Sequence, residues 1–278
     1  MKRIVTIQDI SCFGKCSLTV ALPIISAMGV EAAILPTAVL STHTGGFKNF
    51  TFRDLSEDIP KIFKHWESEK IDFDAIYTGY LGSFEQIDQM KEFILAKPEK
   101  TLAFVDPAMA DNGVLYPGFT PEFAHHMATL CSKADIIVPN ITEAAFMLDE
   151  KYIESGYDKA YIENMLKKLA ALGPKYAVLT GVGFESDKLG VAMYDKEKDE
   201  FFYYFNEKIN DKFHGTGDVF ASACVGALMR GKTLERALEI AVDYTVECIK
   251  VTMPDREKHW YGVEFEKAVP KLLERLEK

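Results

Sequence analysis

Nowhere does the chain hold the roughly 18 consecutive apolar residues that a membrane-spanning helix needs, so none is expected. Cysteine is sparse: Cys12, Cys16, Cys131, Cys224 and Cys248 are odd in number, scattered and without a C-x-x-C pair. That pattern offers no disulfide framework or zinc ribbon and suits a reducing compartment, with the thiols in apolar helical stretches buried. Basic residues are in deficit, the net charge being −10. Release of counterions from a phosphate backbone requires a basic footprint, so neither nucleic acid nor an anionic membrane is an expected partner. After Met1-Lys2-Arg3 there is no apolar run long enough for a signal peptide, and a cytoplasmic protein is expected. H-E-x-x-H, G-x-S-x-G and any diagnostic cysteine–histidine spacing are also missing, which removes the usual hydrolase readings. Repeats, low-complexity tracts and Pro/Gly/Ser linkers are lacking too, and residues 1–278 read as one domain.

What is present is an ordinary globular composition, 48% hydrophobic and 27% charged over 278 residues. A chain of this size buries roughly three quarters of its extended surface and needs no staple. Short apolar runs at 4–8, 32–40, 75–80, 102–105, 136–138 and 176–180 read as strands. Helical spacing fills the intervals at 17–28, 54–69, 84–96, 121–133 and 158–172; in the last, Ala160, Met165, Leu166, Leu169, Ala170 and Leu172 share one face. The strand runs are apolar throughout, as in strands covered on both faces. Such alternation predicts an α/β fold: an open, mostly parallel sheet with helices on both faces. The segments 189–194 and 201–205, joined by a charged turn, predict a late β-hairpin, and 216–230, 233–251 and 265–277 predict three closing helices. The aromatic run 201–205 reads as a core strand rather than a base-stacking surface, since no basic groove accompanies it.

Ligands of open parallel sheets bind beyond the carboxyl ends of the strands. There the sequence places Asp9, then Ser41-Thr42-His43-Thr44-Gly45-Gly46, Thr78-Gly79-Tyr80, Asp106, Asn140 with Glu143, and Thr180-Gly181. Asp106-Pro107 reads either as a strand stop or as half of a cation site. Asn140-Ile141-Thr142-Glu143 reads either as a capping box or as the other half. Two carboxylates at neighbouring strand exits match Mg²⁺, which takes one or two protein carboxylates and completes its shell with phosphates and water. His43 is a candidate for binding. The Walker A loop fails at 9–17, where Asp9 stands in place of the first glycine and Cys16 follows the lysine; G-x-G-x-x-G fails at Ser186.

The run 213–221 says most: Gly215-Thr216-Gly217-Asp218 leads into an alanine-rich apolar stretch. A tight turn entering a buried helix points unpaired N–H groups at whatever lies ahead and favours anions. A carboxylate there makes sense if a proton must leave a hydroxyl beside the anion, as in phosphoryl transfer. The alternative is a helix cap in which Thr216 or Asp218 ties down first-turn amides.

These residues, in this order and over essentially the whole chain, resemble the ribokinase-type carbohydrate and vitamin kinase superfamily, and within it the pyridoxal kinases. Gly215-Thr216-Gly217-Asp218 resembles its anion hole and catalytic aspartate, 138–143 its P-N-x-x-E magnesium motif, and Val105-Asp106-Pro107 the segment beside that. Thr6-Ile7-Gln8, Ser41-Thr42-His43-Thr44-Gly45 and 78–83 are similar to stretches of the pyridoxal kinase branch. The resemblance implies phosphorylation of the 5′-hydroxymethyl group of a vitamin B6 vitamer by Mg-ATP, with Asp218 as base and the Gly215, Thr216 and Gly217 amides on the migrating phosphoryl. It implies substrate contacts from Asp9, Ser41, His43, Thr44, Gly45 and Tyr80. Nucleotide contacts would come from Asp106, Val138, Asn140, Glu143, Thr180, Gly181 and Gly217, with Asp106 and Glu143 toward Mg²⁺. It also implies a homodimer and leaves a monovalent cation as a second candidate ion. Two departures stand out: Asp9 and Ile10 replace the family's serine and histidine, and Gly181 stands where some relatives carry lysine. A hydroxymethylpyrimidine kinase is the alternative enzyme, and a nucleotide-dependent vitamer carrier or sensor the non-enzyme alternative.

Overall fold

The first apolar run is buried on both faces: Ile4, Val5, Thr6, Ile7 and Gln8 have no exposed surface at all. A computed structural model describes all 278 residues. In chain order the first elements are β1 (Arg3–Ser11), α1 (Leu18–Ala27), β2 (Glu31–Leu40), β3 (Phe52–Asp54), α2 (Ile59–Ser68) and β4 (Ala75–Thr78). Next come α3 (Phe84–Ala96), β5 (Leu102–Val105), β6 (Ala110–Asp111), β7 (Val114–Leu115), α4 (Pro121–Cys131) and β8 (Ile136–Ile137). Then follow α5 (Ile141–Leu148), α6 (Lys159–Leu172), β9 (Tyr176–Val182), β10 (Lys188–Asp195) and β11 (Glu200–Glu207). The chain closes with α7 (Thr216–Met229), α8 (Leu234–Thr252) and α9 (Phe265–Glu277). It divides into two compact units, Met1–Gly82 with Ile209–Lys278, and Ser83–Lys208.

In the first unit the strand order is β4-β1-β2-β3. β1 runs parallel to both neighbours and only the short β3 is antiparallel. The helix after the glycine turn, α7, is buried without a break from Val219 to Ala227, packed against α1 and α8. That all-round burial explains why its sequence has no polar face. Tyr244 of α8 is fully buried, and its hydroxyl donates to the Phe265 carbonyl at the start of α9 (3.0 Å).

In the second unit the order is β11-β10-β9-β8-β5, with β5, β8 and β9 parallel and β9, β10 and β11 antiparallel. The hairpin turn is held by the Asp195 carboxylate, which accepts the Glu197 and Lys198 amides. Thr120 and Asp158 cap α4 and α6.

The mostly parallel α/β reading holds, with three revisions. The helix expected from residue 54 begins at Ile59, because 52–54 pair with β2, Arg53 opposite Val39. β1 and β9 run past their expected ends, so Asp9 and Gly181 lie inside strands rather than after them. The 201–205 run is an edge strand, not a core one: β11 ends the order and Phe201–Phe205 are each half-buried. No helix is long and apolar enough to cross a membrane.

Replacing Tyr244 with phenylalanine leaves the buried Phe265 carbonyl without its donor. The expected loss is about 1–3 kcal/mol, read as a lower urea midpoint with an unchanged m-value.

Candidate active site

Two acidic side chains of the first unit, Asp9 and Asp218, are the centre of the candidate site. Asp9, inside β1, is only 4% exposed. Its Oδ2 accepts the Ser11 hydroxyl (2.8 Å) and its Oδ1 the Ser17 hydroxyl (2.5 Å). Burial raises its pKa, and the two hydroxyl donors pull the other way. Asp218 is the third residue of α7. Burial, reinforced by the charge of Asp9 and opposed by a hydrogen bond from the Ser17 backbone N–H, pushes its pKa up to about 7. Ser17 thus bonds Asp9 through its hydroxyl, in the segment that packs against the glycine turn. It does so from φ 54°, ψ −132°, a left-handed conformation that costs a non-glycine residue on the order of 1–3 kcal/mol. The Cys16 thiol lies in the field of both acids; burial first, then Asp218 and Asp9, drive its pKa well up.

The capping alternative for this turn does not hold. Gly215 is the N-cap of α7 and no side chain caps the helix; the Thr216 hydroxyl turns back to the Phe213 carbonyl (3.4 Å). The first-turn N–H groups are thus not consumed by side chains. Gly215 has φ 76° and a Cβ there would collide with the Lys15 carbonyl oxygen, so glycine is required twice over. Around Gly217 an added Cβ would meet nothing within 4 Å, which leaves the helix start open to an incoming group.

His43 is 5% exposed, and both ring nitrogens are engaged. Nε2 faces the Tyr261 carbonyl (2.8 Å) and Nδ1 accepts the Gly45 amide (3.1 Å). That pairing demands the neutral Nε2–H tautomer, and burial lowers the pKa accordingly. His43 holds the 43–45 loop in shape and has no nitrogen left for a ligand. A Cβ at Gly45 would fall 2.6 Å from the His214 ring, so this loop packs directly on the residue before the glycine turn. Tyr80 lies near Asp9: burial, then the charges of Asp9 and Asp54, push its phenol up to about 12. The Ser41 hydroxyl is committed to the Thr51 amide (2.9 Å), and Thr44 is exposed. Asp9, Asp218, Tyr80 and the glycine turn are thus brought together. Ser11, Cys16, Ser17 and His214 were not foreseen. Ser17 carried the one available signal, a serine immediately before a helix, although its side chain caps nothing.

The second unit gathers the remaining candidates. Of the two readings of Glu143, the capping box with Asn140 is present. Glu143 accepts the Asn140 amide with its Oε2 (2.8 Å) and the Met109 amide with its Oε1 (3.0 Å). It is also buried, and burial followed by the charge of Asp106 drives its pKa well up. Asp106 is 8% exposed. Two buried carboxylates repelling one another are a donor set that a divalent cation would relieve, and Glu143 keeps lone pairs beyond its amide bonds. No group of three metal-ligating side chains forms, and Mg²⁺ bound to nucleotide phosphates needs none. The Asn140 side chain is spent on structure, donating to the Ala110 carbonyl and accepting the Glu143 amide. Val138 is buried, its amide on the Val105 carbonyl. Gly181 is a β-bulge: Thr180 pairs with Val191 and Val182 with Gly190, leaving Gly181 unpaired at φ 71° with open space where a Cβ would be.

Because its folded-state pKa is raised, Asp218 binds its proton more tightly in the native state, and stability falls as pH rises from about 4 to about 7. Asp218→Asn is expected to melt several degrees above the parent at pH 8, the gap closing toward pH 4, in thermal scans across that range.

The comparisons agree with this architecture. A family profile described as phosphomethylpyrimidine kinase matches residues 21–262. A Bacteroides thetaiotaomicron structure titled as a phosphomethylpyrimidine kinase, in an orthorhombic form with pyridoxal, is 37% identical with a TM-score of 0.92, covering 98% of this chain and 95% of that one. Pyridoxal kinase from Lactobacillus plantarum is 31% identical with a TM-score of 0.90 over 99% and 97% of the two chains. Pyridoxine kinase of Bacillus subtilis is 30% identical over 196 residues, 67% of this chain and 68% of its own length. The chain spans 41% of the length of a matching chloroplastic thiamine biosynthetic bifunctional enzyme of Arabidopsis thaliana. By these matches the chain belongs to the phosphomethylpyrimidine kinase family of ribokinase-like, ATP-dependent small-molecule kinases.

Proposed function

We propose that this protein transfers the terminal phosphoryl group of Mg-ATP to the 5′-hydroxymethyl group of a vitamin B6 vitamer: pyridoxal, pyridoxamine or pyridoxine. The observation that carries the reading is Asp218, a carboxylate of raised proton affinity in the first turn of a helix whose leading amides no side chain caps. A base whose pKa lies near the working pH combines a useful ionised fraction with real affinity for the proton it takes. The relatives that act on, or were crystallised with, B6 compounds support the choice of acceptor.

In the proposed step the acceptor hydroxyl attacks the terminal phosphorus in line, its proton passing to Asp218. As the new O–P bond forms, the bond to the bridging oxygen breaks and its electron pair leaves with ADP. The Gly215, Thr216 and Gly217 amides stabilise charge on the migrating group, and positioning supplies most of the acceleration. Asp9 and Tyr80 would line the acceptor side, with Gly45 and His43 shaping the loop beside it; Ser41 and Thr44 would contribute at the rim. Asp106 and Glu143 would hold Mg²⁺, which when bound to ATP neutralises phosphate charge. Thr180 and the bulge at Gly181 would place backbone beside the phosphates, and Val138 and Asn140 would support that segment. A homodimer and a monovalent cation belong to the same proposal and rest on the resemblance; a cytoplasmic setting rests on the scattered, unpaired cysteines.

Asp218→Ala is expected to lower kcat by roughly 10²–10⁴-fold while ATP affinity is retained, measured by ADP release and by nucleotide titration. Full turnover would refute the base. In the parent enzyme kcat should decline as pH falls below about 7, since protonated Asp218 cannot accept a proton. An ADP-release panel across the three vitamers, the hydroxymethylpyrimidine and simple sugars is expected to favour the vitamers. Preference for the pyrimidine would move the assignment to that alcohol, and tight vitamer binding with no ADP release would mark a carrier.

A further inference from the structure

A large ring lies at the surface beside the acceptor loop. Trp260 is 45% exposed, so it is not a core side chain. Its indole nevertheless lies 2.8 Å from where a Cβ on Gly46 would stand, and Gly46 has φ 82°, so the loop turns flat against the ring. The same indole meets Phe47 with 4.6 Å between ring centroids. The next two residues reach the neighbouring loops. The Tyr261 carbonyl accepts His43 Nε2–H (2.8 Å), and the Tyr261 ring packs on Phe13 at 4.8 Å. A Cβ on Gly262 would fall 2.5 Å from the Lys15 Cβ, and it is the Lys15 carbonyl that presses on Gly215. Resting on the reading of 43–45 as the acceptor loop, we propose that Trp260 is a positioning residue. Its ring braces the 43–47 loop against the segment that also abuts the glycine turn, and so sets the affinity for the acceptor.

The segment carrying Trp260 is fixed without the indole. The Thr252 hydroxyl accepts the Glu264 amide (2.7 Å) and closes the connection between α8 and α9 at its base, and the Gly262 amide donates to the His259 carbonyl (3.1 Å). The acceptor loop is built differently. Its base is closed by Ser41 and Thr51, whose amides donate to the Thr51 carbonyl (3.2 Å) and the Ser41 hydroxyl (2.9 Å). Its tip is held by rings: Phe47 stands edge-on to His43 at 4.9 Å and to Phe13 at 6.1 Å, and meets Trp260 across Gly46. The indole thus steadies the loop more than the segment that bears it. Aromatic contacts are strong enough to shift the population of a loop, and a mobile loop binds its ligand more weakly by the fraction of time it spends elsewhere. Nucleotide affinity should not follow, because the candidate nucleotide residues Asp106, Asn140, Glu143 and Thr180 belong to the other unit.

The test uses the full chain with pyridoxine as acceptor. Trp260→Ala is expected to raise the acceptor KM about tenfold, the order of one aromatic contact, with a smaller change in kcat and none in the KM for ATP. Trp260→Phe keeps a ring over Gly46 and should recover most of that loss. A merely structural defect would lower kcat through loss of active protein and leave both KM values alone. Gly46→Ala should weaken acceptor binding in the parent and cost less in the Trp260→Ala background, where the ring it strikes is gone. The second readout is amide hydrogen exchange in substrate-free protein. Trp260→Ala should speed exchange at His43 and Gly45, whose amides donate to the Phe13 carbonyl (3.3 Å) and to His43 Nδ1 (3.1 Å), and leave the buried Val178 and Leu179 of β9 unchanged. An unchanged acceptor KM overturns the proposal, and so does unchanged exchange at His43 and Gly45. If the parent phosphorylates no alcohol offered, the kinase reading falls and the exchange measurement alone decides whether Trp260 braces the loop.

Discussion

A partly buried carboxylate is held against its preference for water, and much of the first unit is arranged around that fact. Asp218 sits at a helix start where the amide of Ser17 offers partial compensation and the neighbouring Asp9 adds opposition. The balance leaves an acid whose proton is loosely enough held to exchange near neutrality. Gly215 is shaped by the same demand, since only a residue without Cβ fits against the Lys15 carbonyl at the approach to α7. The surrounding scaffold is correspondingly rigid, with α7 buried from Val219 to Ala227 and β1 sealed on both faces. Strain at Ser17 persists because this packing over-determines it.

The second unit solves a related problem differently. Glu143 and Asp106 are also buried and mutually repelling. Here backbone amides of Asn140 and Met109 carry part of the charge, and a capping box fixes the carboxylate orientation. The atoms of a structural motif are therefore the same ones proposed to hold a cation. The two readings that the sequence left as competitors at 140–143 are compatible, because a carboxylate has more lone pairs than the box consumes.

Other side chains with chemical potential have been used for architecture. His43 has a neutral ring locked between a carbonyl and an amide, and the Asn140 side chain is committed on both sides. These positions were legible as important from their neighbours in the chain, but not the kind of importance. Residue type announces what an atom can do; the partner it finds decides what it does.

Local patterns determined a great deal here. Period and length of the apolar runs were enough for the α/β alternation, the late hairpin and the closing helices, because those features depend on neighbours within one turn or one pleat. The glycine turn and its aspartate were likewise readable, since φ > 0 and an open helix start are properties of a few consecutive residues. What the chain could not declare were the contacts between distant segments: Lys15 and Cys16 with the glycine turn, His43 with Tyr261, and the strand pairing that claims 52–54. The edge position of β11 was equally hidden, because an apolar strand looks the same whether one or two neighbours cover it. Burial and charge proximity are collective quantities, set by everything that folds around a group. The pKa of Asp218 therefore belongs to the tertiary structure, although the residue itself was plain from the start.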